Sequence, residues 1–312
     1  MKEKFKGRHF LTLLSYTGEE IKEILGLARE MKKEQKEGKP HCYLEGKTLA
    51  MVFQKSSTRT RLSFEVGMEQ LGGKGIFLSA NDLQMGRGEP IKDTARVLSR
   101  YVDGIMIRTF EQEEVEELAH YSSVPVINGL TDSYHPCQVL ADLLTVQEKC
   151  GEFNPGRKVV YLGDGNNVAH SLMLGCSKLG LEFRLAHPLG FAPDPEIVQK
   201  AREETGVNGG KILVTEDPRQ AVKEAEVLYT DVWTSMGQES EKEERLKSFG
   251  AYQLNYELLQ EAAPGAVVMH CLPAYRGEEI TDEVIESSRS VVFDQAENRL
   301  HAQKALMALL MG

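Results

Sequence analysis

The sequence predicts an α/β protein of two doubly wound domains, each a parallel sheet flanked by helices and joined to the other by interdomain helices. Three observations lead there. Short, almost wholly apolar runs alternate with amphipathic stretches along the chain, as strands buried on both faces do with the helices that cover them. At 312 residues the chain is long for one hydrophobic core, and two domains of about 150 residues fit it better. Polar residues capable of chemistry gather directly after the apolar runs, at the carboxyl edges of the sheets, where folds of this class bind ligands.

The elements follow in order. "TGEEIKEILGLAREMKKEQKEG" opens on Thr17 with Glu20 three residues on, a capping box, and stops at Gly38. "KTLAMVF" (47–53) reads as a buried strand. Residues 58–71 carry Leu62, Val66, Met68 and Leu71 near helical spacing, with Gly72 as the stop. "GIFLSA", "GIMIRT" and "VPVING" are strands, with helices at "IKDTARVLSRY" and "EEVEELAHY" between them. "HPCQVLADLLTVQEKCG" is a long helix with Pro136 in its first turn, and it leads into the second half. There "KVVYLGDGNN", "LEFRLAHP", "KILVT", "EVLYTDVW", "AVVMHCLP" and "VVFD" read as strands. Residues 298–312 form a last amphipathic helix, expected to pack back on the first domain.

The bulk numbers exclude several classes of function. A net charge of −10 argues against nucleic acid and against an anionic membrane surface. No apolar run approaches the roughly 18 residues of a membrane span, and "MKEKFKGRHFLTLLSYTGEE" has too short an apolar segment for a signal peptide. The five cysteines are scattered without a CxxC pair, which points to a reducing cytoplasm rather than to disulfides or zinc. The eight histidines are dispersed and no HExxH spacing occurs, so a metal site is not expected.

"KSSTRTR" (55–61) admits two readings, a capped helix with solvated arginines or an oxyanion site. In the second, the free N–H groups of a helix N-terminus, three hydroxyls and one guanidinium hold the anion. Arg59 and Arg61 lie roughly 200° apart around a helix, so only one of them can face a given anion. "GDGNN" lacks the third glycine of a dinucleotide fingerprint, and the next strand does not end in an acidic residue, so NAD is not expected. In "DVWTSMG" a carboxylate ends a strand before a Ser-Met-Gly turn. These are the parts for holding an ammonium and a carboxylate, or simply a loop with a capping serine. Trp233 reads as packing. His270 and Cys271 are strand neighbours that point to opposite faces and so form no catalytic dyad. Pro273 marks a constrained turn, and His135 alone reads as a cap or a structural residue.

Together "SSTRTR", "HPCQVLADLLT", "GDGNN", "DVWTSMG", "HCLPA" and "QAENR" resemble the aspartate/ornithine carbamoyltransferase family in order and spacing over essentially the whole chain. The SMG and HCLP wording resembles its ornithine branch. The resemblance implies a carbamoyl-phosphate domain at 1–150 and an ornithine domain at 151–297. It also implies a homotrimer with shared active sites, and no cofactor. Ser57, Thr58, Arg59, Thr60 and Arg108 would hold the phosphate. His135, Gln138, Arg299 and the carbonyl of Leu272 would fix the carbamoyl group, and Gln84 would reach in from a neighbouring subunit. Asn167, Asp231, Ser235 and Met236 would hold the α-amino and α-carboxylate groups of ornithine, with Cys271 beside the reacting amine. One departure is local: Gln54 stands where the family commonly has an acidic residue. Putrescine or N-acetylornithine as acceptor, and a catalytically silent binding protein on the same fold, are the alternatives.

Overall fold

The computed structural model describes residues 2–80, 83–235 and 237–312. The chain forms two compact units, Met1–Leu144 with Glu297–Gly312, and Thr145–Ala296. The division at 144/145 falls inside a helix, six residues before the boundary placed at 150/151 from the sequence.

In the first unit, α1 (Gly18–Lys36) starts on the expected capping box: Thr17 Oγ1 accepts from the Glu20 N–H, and Glu20 accepts from the Thr17 N–H. Then follow β1 (Thr48–Phe53), α2 (Thr58–Gln70), β2 (Lys74–Ser79), α3 (Ile91–Leu98), β3 (Gly104–Arg108), α4 (Gln112–Tyr121), β4 (Val126–Leu130) and α5 (Pro136–Cys150). The sheet runs β2-β1-β3-β4, all parallel. Chain order reverses between β1 and β3, so the crevice of this sheet lies beyond Phe53 and Arg108. β2 departs from the expectation of strands covered on both faces: it is an edge strand, and Ile76 and Phe77 are exposed.

In the second unit, β5 (Lys158–Leu162), α6 (Asn167–Lys178), β6 (Glu182–Ala186), α7 (Pro195–Asn208), β7 (Lys211–Thr215), α8 (Pro218–Val222) and β8 (Val227–Thr230) alternate. α9 (Lys242–Phe249), α10 (Tyr256–Gln260), β9 (Val267–His270), α11 (Asp282–Ile285) and α12 (Val292–Met311) follow. The parallel sheet runs β7-β6-β5-β8-β9, with its switch point between β5 and β8, beyond Leu162 and Thr230. Val160, Leu162, Leu228 and Val268 are fully buried in its core.

"VVFD" is not a strand. The residue before it, Ser290, makes a single bridge to Val268, and within it the Val291 N–H bonds the Val268 carbonyl; the next residue opens α12. Three apolar residues carry no period, so a strand and the first turn of a helix look alike there.

The C-terminal half of α12 packs within the first unit. Gly67 lets it approach, since a Cβ there would come within 3.0 Å of Met307 Cε. The fully buried Lys304 ammonium donates to Gln35, Gln70 and His41 Nε2, three neutral acceptors for its three protons. Burial without a hydrogen-bonded carboxylate in that set brings its pKa down to about 8.

Candidate active site

Beyond β1, Ser57 caps α2: its extended backbone lets Oγ accept from the Thr60 N–H, 3.2 Å away. Arg59 in the first turn is half-buried, whereas Arg61 is exposed, bound to Glu65 and stacked over the Phe77 ring at 4.0 Å. The two arginines therefore do different work, as their angular separation requires. Lys55 is buried against Asp132 and lies over the Phe110 ring, which makes it a brace for the loop.

Arg108 ends β3, where the register with β4 slips by one residue: Ile107 pairs with Asn128, but Arg108 pairs with Leu130. The extra residue is Gly129, whose Cβ would lie 2.6 Å from Met106 Sδ. A bulge at the carboxyl edge re-aims the side chain beside it. Just before α5 stands His135, and Gln138 follows in its first turn; both are buried. Arg299 comes from α12 and is 3 % exposed; it donates to Gln138 Oε1 at 2.6 Å and to Thr60 Oγ1 at 3.2 Å. Gln138 in turn donates to Asp142 Oδ1 at 2.8 Å, which fixes which end of its amide faces Arg299. The His135 pKa is held well below its ordinary value, first by burial and then by the charges of Arg299, Arg108 and Arg59. A neutral imidazole among three guanidiniums is a hydrogen-bonding group in a field made for an anion. The first unit thus gathers Ser57, Thr58, Arg59, Thr60, Arg108, His135, Gln138 and Arg299. Gln84 is exposed in the 3-10 turn Gln84–Arg87.

In the second unit, the loop after β5 is shaped by Gly165, which a Cβ would bring to 2.2 Å from the Pro193 nitrogen. Its N–H bonds the Phe191 carbonyl at 3.0 Å. This glycine serves a close backbone approach. Asn166 Oδ1 caps α6 by accepting from Val168 and Ala169, and its Nδ2 donates to Asp231 Oδ2 at 3.3 Å. Asn167 is therefore the first helical residue, and its neighbour takes the structural task. Asp231, buried after β8, accepts from Cys271 Sγ at 2.8 Å through Oδ1.

The loop beyond Asp231 is anchored by Arg245, which donates to Asp164 at 2.7 Å and to the Trp233 carbonyl at 2.9 Å. Burial raises the Asp164 pKa against the opposing pull of Arg245. Trp233 stacks on Phe249 and is packing, as expected. Ser235 follows, its N–H bonded to Gln238. Met236 lies outside the described residues.

His270 is engaged with other partners: Nδ1 accepts from the Leu272 N–H, so Nε2 carries the proton donated to Glu279 at 2.9 Å. Leu272 has φ +56°, a conformation costly for a branched residue, and the Leu272–Pro273 bond is cis. Among the described residues, Asp231, His270 and Cys271 bring donor atoms within 4.8 Å of one another, a set that a thiophilic cation would accept. Both His270 nitrogens are already engaged with Leu272 and Glu279, so the donors are arranged for the loop rather than for an ion.

Residues 8–148 match the model of the aspartate/ornithine carbamoyltransferase carbamoyl-P binding domain, and residues 155–310 that of the Asp/Orn binding domain. The chain belongs to the aspartate/ornithine carbamoyltransferase family. Among curated relatives, "Ornithine carbamoyltransferase" of Thermococcus kodakarensis is 61% identical over 306 residues, 98% of this chain and 97% of that one. "Ornithine carbamoyltransferase, anabolic" of Pyrococcus furiosus is 58% identical over 98% of this chain and 97% of its own. The solved ornithine carbamoyltransferase from Pyrococcus furiosus superposes with a TM-score of 0.96 at 58% identity, over 99% of this chain and 98% of that one.

Within this carbamoyltransferase, four residues that hold the two clusters were not singled out from sequence. Asp142 lies four residues beyond Gln138 in a helix, so spacing alone puts the two side by side. Glu279, Arg245 and Gln303 reach their partners through the fold, and no local pattern marks them.

Proposed function

We propose that the protein transfers the carbamoyl group of carbamoyl phosphate to the δ-amino group of L-ornithine, releasing L-citrulline and phosphate. The observation that carries this reading is the gathering of Arg59, Arg108 and Arg299 on a neutral His135, three of these four residues lying in the stretch that matches the carbamoyl-P binding model. In the other unit, Asp231 and Cys271 stand at the carboxyl edge of the sheet for the amine.

In this reading the α2 N-terminus, with Ser57, Thr58, Arg59 and Thr60, holds the phosphate together with Arg108. His135 and Arg299 bind the carbonyl oxygen, while Gln138 and the Leu272 carbonyl take the carbamoyl NH2. Asn167, Asp231, Ser235 and Met236 hold the α-amino and α-carboxylate groups of ornithine. The neutral δ-amine attacks the carbamoyl carbon, and the C–O π electrons move to oxygen. The oxyanion that forms is stabilised by cations and donors already in place, which need no reorganisation as charge develops. Collapse expels phosphate, which takes the amine proton, so atoms and charge balance without a metal or cofactor. Holding two substrates in register supplies up to about 7–11 kcal/mol in favourable cases. Cys271 orients the amine and forms no covalent bond.

We further place the protein in the cytoplasm, as a homotrimer with Gln84 entering a neighbouring site, and in the citrulline-forming direction of arginine biosynthesis. The exposed Ile76 and Phe77 on edge strand β2 and the exposed Gln84 support the trimer; the anabolic name of the Pyrococcus furiosus relative supports the direction. No described helix is long and apolar enough to cross a membrane.

Ornithine, N-acetylornithine and putrescine offered in parallel with carbamoyl phosphate test the acceptor. Ornithine should be carbamoylated with the highest kcat/KM. Preference for putrescine or N-acetylornithine overturns the acceptor assignment, and no carbamoylation of any of them overturns the enzyme.

A further inference from the structure

We propose that Gln303 is a positioning residue for Arg299, locking its guanidinium to the N-terminal turn of α2 through Ser63. The inference rests on the role given to Arg299 above and names what makes that role geometrically possible. Gln303 is fully buried one helical turn beyond Arg299, and side chains four apart on a helix lie side by side. With its amide oriented as its neighbours require, the oxygen accepts from Arg299 Nε at 3.1 Å and from Nη2 at 3.0 Å, while the nitrogen donates to Ser63 Oγ at 2.6 Å.

Both ends dictate this orientation. A guanidinium has only donors, so the atom facing it must be the oxygen. The Ser63 hydroxyl has one proton, used on the Arg59 carbonyl 2.6 Å away, so Ser63 must accept from Gln303. The chain Arg299–Gln303–Ser63–Arg59 thus ties one proposed ligand of the carbamoyl group to the backbone that carries the phosphate cradle.

The chemistry of the partners is informative. Gln303, Gln138 and Thr60 are all uncharged. Each accepts a guanidinium N–H, so between them they set the direction in which the group points. Packing alone would have been met by an apolar residue in this buried turn. An amide is required only if both a guanidinium and a hydroxyl have to be satisfied.

The test pairs crystal structures with kinetics for Gln303→Met, which keeps volume and removes both bonds, and for Ser63→Ala, a truncation small enough to fold if the first variant does not. The Arg299 guanidinium should leave Gln138 and Thr60. kcat/KM for carbamoyl phosphate should fall about tenfold to a hundredfold in Gln303→Met, as misplacements near 1 Å do. The fall should be smaller in Ser63→Ala, and ornithine KM should stay within about twofold in both. In an Arg299→Ala background neither change should add a further loss. An unmoved guanidinium in either variant, or losses that multiply with Arg299→Ala, overturns the proposal. A displaced guanidinium with unchanged kinetics upholds the positioning and instead removes Arg299 from the carbamoyl site.

Discussion

The Cys271 thiol donates to Oδ1 of Asp231 across 2.8 Å, while Asn166 donates to the other oxygen of the same carboxylate. One buried carboxylate thus joins the loops after β5, β8 and β9. If the thiol orients an amine rather than attacking carbon, a hydroxyl in its place should serve. Cys271→Ser should retain more activity than Cys271→Ala, and Asp231→Asn should lose more than either, about a hundredfold or more in kcat/KM for ornithine. A carbamoyl- or phosphoryl-cysteine caught by rapid quench and mass spectrometry would contradict the orienting role.

Arg59 and Arg61 separate by function. Arg59→Ala should lower kcat/KM for carbamoyl phosphate about a hundredfold, the scale of one lost charged donor. Arg61→Ala removes an exposed ion pair and a ring contact, together about 1 kcal/mol of stability, and should leave carbamoyl-phosphate binding unchanged. Calorimetric titration of both folded variants checks the division; equal losses of binding would refute it.

His135 gives a pH signature. Its folded pKa is lowered well below 6.5, so near pH 6.5 and below, the unfolded chain binds a proton that the folded chain refuses. Stability therefore rises with pH through this window and is lost as pH falls from 6.5 through it. His135→Gln should flatten that acid slope in urea melts. An imidazole nitrogen resonance titrating at 6.5 or above in the parent would show the histidine charged and the reading wrong.

Gly165 is a steric requirement. Gly165→Ala drives a methyl into the Pro193 backbone and should cost about 1–3 kcal/mol, with ornithine KM raised and carbamoyl-phosphate KM unchanged. A parent-like melt and ornithine KM would show that the loop needs no glycine.

What the sequence makes legible follows its periods and caps. The Thr17–Glu20 box, the apolar strands and the Ser57 cap are local, and local physics finds them. The switch points that put Phe53 beside Arg108 and Leu162 beside Thr230 are properties of strand order, which no window of sequence contains. Val292 illustrates a different limit, since three apolar residues cannot choose between a strand and a helix start. Arg59 is visible as a candidate, but the bulge that turns Arg108 and the Gln303–Ser63 brace behind Arg299 depend on chain segments far apart in sequence. The cluster motifs were readable because resemblance supplied their long-range company.

Isotope transfer tests the central claim most directly. The enzyme is supplied with carbamoyl phosphate labelled with 13C at the carbonyl and ornithine labelled with 15N at the δ position. NMR of the product should show citrulline with a directly bonded 13C–15N pair, formed in equal amount with phosphate. Absence of that coupled pair, or a pair formed with the α-nitrogen, would contradict it.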